Sequence, residues 1–293
     1  MPRIKNLIAY TLLWMLTTGV LLSGCSGDPK KMDINSAPST GAALGISGEL
    51  TISPTASPSP EPSPIPRVTP VPASKPQGKK SIPILYYHAV NDHIEGIEEL
   101  FVSPIELEKQ MAFLKRNDYT VITFDQIKDI RNIENPIIIT FDDGYEDNYS
   151  YAYPVLKKYG FQATIFLCSE FIDKSFYLST AQIKEMATLI NFQGHSISHP
   201  YLTRLANEEV DKELGESKKI IESITAKGVN VFAYPIGDYD QRIMDITKKY
   251  YKYAVLNGGG IYTEGDGDYE IKRVYIPRNL DIEGFSRKVK GDN

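Results

Sequence analysis

The sequence is poor in cysteine and histidine and has no excess of basic residues. Of its 293 residues only two are cysteines, Cys25 and Cys168, and only four are histidines. Two cysteines in such different contexts do not predict a disulfide framework. The formal net charge of -5 provides no basic footprint, so we expect no nucleic-acid partner. The remaining composition, with 24% charged and 42% hydrophobic residues, is that of an ordinary globular protein.

The N-terminal residues have the pattern of an export signal. Arg3 and Lys5 precede an apolar run over Leu7–Leu22, which is short for a membrane span and ends at Leu22-Ser23-Gly24-Cys25. This ending is similar to the lipobox of bacterial lipoproteins, in which the cysteine is acylated and becomes the mature N-terminus. We predict a signal peptide over residues 1–24 and a lipid anchor at Cys25, which holds the protein at the extracellular face of the cell membrane. An uncleaved membrane anchor is the alternative.

A segment rich in Ser, Pro and Thr follows over residues 25–80. Between Ser53 and Pro72 a proline occurs at nearly every second or third position, so this stretch cannot bury a core. We expect a disordered, semi-rigid tether here and a folded domain over residues 81–293. A proline-rich ligand for a binding module is the alternative for the tether.

From Ser81 onward, apolar runs alternate with amphipathic stretches. The candidate strands are Ile82–Tyr87, Ile137–Phe141, Ala163–Cys168, Val231–Tyr234, Tyr253–Leu256 and Ile271–Ile276. The candidate helices are Pro104–Arg116, Asp147–Tyr159, Thr180–Thr188, Glu208–Thr225 and Asp240–Lys249. This alternation predicts an α/β fold with a parallel sheet or barrel, whose functional residues lie at the C-terminal ends of the strands.

Two adjacent carboxylates stand at the end of the most apolar candidate strand. Asp142 and Asp143 follow the run Pro136–Ile139, within Thr140-Phe141-Asp142-Asp143-Gly144. Adjacent acids repel each other unless a cation or a proton intervenes, so the pair indicates a cation or acid–base site. An ordinary Asp-Gly turn is the alternative.

Two of the four histidines, His195 and His199, lie four positions apart. We interpret this spacing as a helical turn that points both rings the same way, as a shared metal ion requires. Two imidazoles and one carboxylate are a frequent ligand set for a catalytic divalent ion with open coordination positions. Two unrelated surface histidines are the alternative.

Other strand ends carry further candidates. His88 follows the apolar run Ile82–Tyr87. The strand that includes Tyr234 stops at Pro235-Ile236-Gly237, a sharp turn where freed backbone N–H groups could face a developing oxyanion. Cys168 ends the run that begins at Ala163, and we expect it to be an inert buried thiol.

Together these motifs resemble those of the polysaccharide deacetylase family, carbohydrate esterase family 4. The resemblance runs from about Ile82 to the C-terminal region. It implies a distorted (β/α) barrel of about seven strands and a divalent metal ion, with zinc as the first choice and cobalt or nickel as alternatives. It also assigns the metal to three residues, Asp143, His195 and His199. We expect the protein to be a monomer.

The resemblance further implies that Asp142 is the general base and that the Tyr234 backbone N–H stabilises the oxyanion. The family often has an arginine in the third motif, which orients the base, but Ala233 occupies that place here. Arg273 or Arg278 could replace it, and the sequence does not decide between them.

The family also often has a late histidine as general acid, yet no histidine follows His199. Both departures resemble the subgroup that acts on poly-β-1,6-N-acetylglucosamine, in which an early histidine is the acid. This implies that role for His88, with His93 as the alternative.

The predicted activity is removal of acetyl groups from an N-acetylated polysaccharide, with poly-β-1,6-N-acetylglucosamine as the favoured substrate. Peptidoglycan, chitin and acetylated xylan are the alternatives, because no feature of the sequence measures the linkage. A non-catalytic glycan-binding protein on the same scaffold is the alternative of another class. The complete set of Asp142, Asp143, His195 and His199 argues against it, since a silent scaffold has no physical need for all four.

Overall fold

The structure, a computed structural model, describes residues 78–94 and 96–292. The predicted signal peptide, the anchor site Cys25 and all but the last three residues of the predicted tether lie outside the described residues. Their boundaries stay predictions. In the part of the chain that the structure describes, no helix is long and apolar enough to cross a membrane.

Within this part, the chain forms twelve strands and six α-helices. The strands are β1 (Ser81–Ile82), β2 (Ile84–Tyr87), β3 (Ala89–Val90), β4 (Phe101–Val102), β5 (Thr120–Val121), β6 (Pro136–Phe141), β7 (Ala163–Leu167), β8 (Ile190–Gly194), β9 (Val231–Ala233), β10 (Tyr253–Gly259), β11 (Tyr262–Thr263) and β12 (Ile271–Tyr275). The helices are α1 (Pro104–Arg116), α2 (Tyr153–Tyr159), α3 (Thr180–Met186), α4 (Asn207–Thr225), α5 (Gln241–Thr247) and α6 (Ile282–Lys290).

Seven parallel strands close into a barrel. Their order is β2-β12-β10-β9-β8-β7-β6, and β6 pairs again with β2 to complete the ring. Each neighbouring pair is parallel, with Leu85 opposite Ile139 where the ring closes. The predicted fold class, an α/β barrel of about seven strands, is therefore confirmed. Outside the ring, β5 pairs with β6, β1 with β11, and β3 with β4.

Most predicted elements are present, and the differences have local causes. Pro83 separates β1 from β2 because it has no N–H to donate to a strand partner. The predicted helix over Asp147–Tyr159 begins as a π-helical turn, Asn148–Ala152, before α2. The barrel strand β8, the two-residue strands β3, β4, β5 and β11, and helix α6 were not predicted. In β8 the polar residues Asn191 and Gln193 alternate with apolar ones and interrupt the hydrophobic run that marks the other strands.

Alternate strand positions point into the barrel, and this alternation determines what lies inside. The interior apolar cluster takes one residue from most strands, including Ile84, Ile138, Phe166, Val231, Val255 and Ile271. A larger cluster fills the layer between the barrel and its helices. Counting by twos from the interior residues of β2 and β6 reaches His88 and Asp142, at the C-terminal ends of both strands. In a (β/α) barrel this is the end that carries the functional site.

Candidate metal and active site

The paired carboxylates follow directly on β6. The Asp142 amide donates to the Tyr87 carbonyl at 2.9 Å, which continues the pairing with β2. Asp143 and Gly144 then take left-handed backbone conformations, with φ of 72° and 75°. A Cβ atom at Gly144 would lie 2.5 Å from Leu167 Cδ2, so only glycine fits this turn. The turn sends the side chains of Asp142 and Asp143 to different partners.

Asp143 faces both histidines of the His-x-x-x-His motif. Its Oδ1 atom lies 3.3 Å from His195 Nε2 and 3.5 Å from His199 Nε2. The two imidazole rings are 4.9 Å apart between centroids and nearly edge to face. The carboxylate thus meets the same nitrogen of both rings.

These three residues fit a divalent metal ion. The buried Asp143 Oδ1 atom has no hydrogen-bond partner among the described residues, although two nitrogens lie close to it. Ligands about 2.0–2.1 Å from a tetrahedral zinc ion are about 3.4 Å from one another. The observed distances of 3.3 and 3.5 Å agree with that spacing.

The segment from His195 to His199 is not a helical turn, so that interpretation of the spacing was wrong. It is a loop after β8 in which Ser196 and His199 have φ of 68° and 58°. Glu213 on α4 accepts hydrogen bonds from the amides of Ile197 and Ser198 at 2.8 and 3.0 Å. Left-handed residues and a half-buried carboxylate acceptor, rather than helical periodicity, bring the two rings together.

A backbone carbonyl orients the His195 ring. Its Nδ1 atom lies 2.7 Å from the Ala233 carbonyl, and as the donor it leaves the Nε2 lone pair for a metal ion. Burial lowers the pKa of His195, but Asp143 and Asp142 outweigh that effect and the net shift is upward. Burial, with the neighbouring His195, lowers the pKa of His199 to about 4. At neutral pH the His199 imidazole is therefore uncharged, and it can offer a nitrogen lone pair to a metal ion.

The second aspartate has an entirely different partner. Arg273 on β12 donates from Nη1 to Asp142 Oδ1 and from Nη2 to Asp142 Oδ2, both at 2.7 Å, and both side chains are 0% exposed. The other donors of Arg273 reach Leu256 O, Thr140 Oγ1 and Asn257 Oδ1 at 2.8, 3.0 and 3.2 Å. Although burial raises the pKa of Asp142, the Arg273 charge and hydrogen bonds hold it below its usual value.

The structure therefore decides which arginine faces the predicted base. Arg273 contacts Asp142, whereas Arg278 donates to the carbonyls of Asn91 and Phe101 at 3.2 and 3.1 Å. Ala233, where the family often has its arginine, contributes only its carbonyl to His195.

His88 lies beside both aspartates. It is 9% exposed, and its Nδ1 atom has no hydrogen-bond partner among the described residues. Burial lowers the pKa of His88, while Asp143 and Asp142 are close enough to oppose that shift. His93, the alternative acid, lies on an exposed loop next to a cavity that also includes Tyr145.

The Tyr234 amide is not freed by the strand end, contrary to the expectation from sequence. It donates to the Val255 carbonyl at 3.4 Å, a long bond that continues the pairing of β9 with β10. Its predicted contact with an oxyanion stays a prediction and requires this bond to be exchanged for the new one.

Cys168 lies close to the same point. Its Sγ atom and the donor atoms of Asp143 and His195 all lie within 4.8 Å of one another. Burial, with the two aspartates nearby, raises the pKa of the Cys168 thiol well above its usual range, and Sγ donates to the His195 carbonyl at 3.4 Å. His199 presents its Nε2 atom 3.5 Å from Asp143 Oδ1, whereas Cys168 Sγ is hydrogen-bonded to the His195 carbonyl, so His199 is the better third ligand.

Strained backbone collects around this site. Nine non-glycine residues in the described ranges have positive φ, and Asp143, Ser196 and His199 are three of them. Ile236, two residues after Tyr234, is a fourth, with φ of 61°. Each such residue costs roughly 1–3 kcal/mol and persists only where its surroundings hold it. The ligand turns are thus set before any substrate arrives.

Two residues beside the metal ligands were given no role by sequence analysis. Glu213 is one acid among many on an amphipathic helix, and no local signal marks it. Tyr145 follows the Asp-Asp-Gly motif directly, and its position was the only cue. Burial and the nearby Asp143 carboxylate raise the pKa of Tyr145, so its hydroxyl stays protonated beside the metal ligands.

Comparison with known proteins agrees with this geometry. The family model described as polysaccharide deacetylase matches residues 129–255. YxkH of Bacillus subtilis strain 168, named as a polysaccharide deacetylase, is 31% identical over 223 residues, which cover 74% of this chain and 78% of that protein. A poly-β-1,6-N-acetyl-D-glucosamine N-deacetylase of Staphylococcus aureus strain MSSA476 is 28% identical over 200 residues, 61% of this chain and 69% of its own. The crystal structure of a polysaccharide deacetylase from Bacillus cereus superimposes with a TM-score of 0.69 at 36% identity, over 72% of this chain and 69% of that one.

Proposed function

Because the chain belongs to the polysaccharide deacetylase family, we propose that it is a metal-dependent enzyme that removes N-acetyl groups from poly-β-1,6-N-acetylglucosamine. The observation that carries the proposal is the convergence of Asp143, His195 and His199 on one point, beside the buried pair of Asp142 and Arg273. A ligand set and a separately oriented carboxylate are what metal-assisted amide hydrolysis requires.

The two aspartates would have different roles, Asp143 as a metal ligand and Asp142 as the general base. Asp143, His195 and His199 would hold the metal ion, which when bound supplies a Lewis acid and a water molecule of lowered pKa. Asp142 would accept the proton of the attacking water, because each of its oxygens keeps a lone pair beside the one used by Arg273. Arg273 fixes the orientation of that carboxylate.

The leaving amine needs a proton, and His88 is the proposed donor. It lies on the same face as the aspartates, and its Nδ1 atom has no hydrogen-bond partner among the described residues. Its lowered pKa makes the ring neutral in the resting site. Negative charge that develops on the tetrahedral intermediate favours the protonated ring, so His88 would take up a proton from solvent as that charge develops and pass it to the leaving nitrogen.

The substrate proposal rests on the relative from Staphylococcus aureus and on the early histidine and Ala233, which this chain shares with that subgroup's pattern. The extracellular location and the lipid anchor at Cys25 are proposed from the N-terminal sequence. An anchored enzyme with a long tether would reach a polymer too large to enter the cell.

The experiment is acetate release by the purified protein on a panel of N-acetylated glycans, with and without a chelator. Poly-β-1,6-N-acetylglucosamine should be the best substrate, and chelation should abolish activity until zinc, cobalt or nickel is restored. Best activity on peptidoglycan, chitin or acetylated xylan would replace the substrate proposal. Binding of the glycan without acetate release, at full metal content, would favour the non-catalytic alternative.

Two matched variants test the ligand set. His199→Ala should lose the stoichiometric metal, whereas Cys168→Ala should keep both metal and activity. The reverse result would show that the thiol, rather than His199, is the third ligand.

A further inference from the structure

A cavity with aromatic walls adjoins the metal site. It has a volume of about 420 Å³ and is lined by Asn91, His93, Phe101, Tyr145, Glu146, Asp147, Phe176 and Tyr177. Tyr145 belongs to both regions, since it lines the cavity and follows the ligand turn two positions after Asp143. Its volume is within the range of small-molecule sites. Four of the lining residues are aromatic and four are polar or charged, so the cavity offers both a stacking surface and hydrogen-bonding groups.

The aromatic wall is rigid. The Tyr145 and Tyr177 rings stack with centroids 5.3 Å apart, and the Phe171 ring packs against Tyr177 with centroids 4.7 Å apart. The Glu146 amide donates to the Phe176 carbonyl at 2.9 Å, which ties the two loops together. The wall is thus formed before a ligand arrives.

Phe176 stands out within this wall. Its side chain is 65% exposed, and its backbone has a φ of 71°, which a bulky residue rarely adopts. Phe176 thus combines a strained backbone with a solvent-exposed aromatic ring. Neither feature stabilises the core, and both are explained if a ligand covers the ring.

Asp147 supplies the polar side of the cavity. It is 9% exposed, and its Oδ1 atom accepts hydrogen bonds from the Val90 amide and Asn148 Nδ2, both at 3.0 Å. No hydrogen bond from the described residues reaches Oδ2. Since a carboxylate only accepts hydrogen bonds, a ligand here must bring donors such as hydroxyl groups.

We propose that this cavity is a subsite for the sugar ring next to the one being deacetylated, with the ring's apolar face on Phe176 and its hydroxyl groups donating to Asp147. The inference rests on the proposed function, because only a polymeric substrate presents a second ring while its acetamide lies at Asp143. A pyranose has both an apolar C–H face and a hydroxyl edge, and so matches the two walls.

The test compares substrates of different length. Acetate release is measured on an N-acetylglucosamine oligosaccharide and on a small activated acetate ester, for the wild type, Phe176→Ala and Asp147→Asn. Each variant should raise KM for the oligosaccharide about tenfold, the effect expected when a packed aromatic face or a hydrogen bond to a charge is lost. Ester hydrolysis should change less than about twofold, because the ester does not reach the subsite. Ile220→Ala, which removes an exposed apolar side chain of α4 outside the cavity, should alter neither.

Two further measurements distinguish failure of the subsite proposal from misfolding of a variant and from failure of the proposed activity. Phe176→Gly relieves the left-handed strain, so its unfolding temperature should equal or exceed that of the wild type. Its KM for the oligosaccharide should still be raised, as in Phe176→Ala. Direct titration of the oligosaccharide into the wild type and Phe176→Ala reports the subsite even if no acetate is released. An unchanged oligosaccharide KM in Phe176→Ala, an equal effect on the ester, or equal binding by both proteins would overturn the subsite.

Discussion

Replacing Arg273 with methionine is expected to destabilise the fold by about 3–5 kcal/mol, because it leaves the Asp142 charge buried without a partner. Both side chains are fully buried, and Arg273 makes two 2.7 Å hydrogen bonds to the carboxylate. Methionine fills much of the same volume between Tyr86 and Phe166, so the loss should come from charge rather than from a cavity.

The double variant Arg273→Met with Asp142→Leu separates these two causes. Removing both charges of a buried pair is often neutral or stabilising, because neither ion then needs to be desolvated. We expect the double variant to recover most of the stability that Arg273→Met loses, although neither protein should hydrolyse amides.

The assay is urea unfolding of the wild type, both single variants and the double variant, at pH 7 in the presence of a chelator. For a domain of this size, the loss in Arg273→Met corresponds to a fall in unfolding temperature of roughly 6–20 °C. Arg273→Lys is the matched control. It keeps the charge but cannot form the paired hydrogen bonds, so it should retain more stability than the methionine variant and still lose activity.

The outcome that would refute the reasoning is simple additivity. If the double variant is as unstable as the sum of the two single variants, the loss comes from packing, and the ion pair has no special role.

Four other outcomes are expected. Asp142→Asn should keep its metal ion and lose about 10²–10⁴-fold in kcat, since general-base catalysis has that magnitude; loss of metal content would mean that the roles of the two aspartates are exchanged. His88→Ala should keep metal and fold, and should lose amide hydrolysis far more than hydrolysis of an activated acetate ester, whose leaving group needs no proton; equal losses on both substrates would contradict its role as acid. Burial raises the pKa of Asp147 to about 6, so ionisation of this group lowers stability progressively from about pH 4, near the pKa of an unfolded aspartate, to about pH 6. The stability of Asp147→Asn relative to the wild type should therefore grow by up to about 3 kcal/mol between pH 4 and pH 7, measured by urea unfolding at each pH, and a constant difference would refute this. Cys25→Ala should release the protein from membrane fractions or leave an uncleaved precursor, and an unchanged membrane-bound product of mature size would exclude the lipid anchor.

Much of the fold and site could be predicted because barrel strands obey short-range rules. An apolar run that ends in polar residues indicates a buried strand and its functional end, and this reasoning found β6 with Asp142 and Asp143. The same reasoning missed β8, whose interior positions are the polar residues Asn191 and Gln193. A strand that faces a polar part of the barrel interior loses the signal by which strands are recognised.

The His195–His199 spacing shows how a correct pairing can follow from a wrong local structure. The two rings do face Asp143, but through a loop with left-handed residues at Ser196 and His199. Position i and i+4 on a helix is one way to align two side chains, and a loop held by Glu213 is another. Only long-range hydrogen bonds distinguish them.

The sequence by itself determined most of the barrel strands and their helices, the export signal pattern and the polar residues at strand ends, because each depends on neighbours within a few positions. The tertiary structure decided that Arg273 rather than Arg278 orients Asp142, a partner 131 positions away. It also decided that the Tyr234 amide is already bonded and that Phe176 forms one wall of a cavity. These facts depend on how the barrel closes and on the register of its strands, which set distances between residues far apart in the chain and leave no trace in any local pattern.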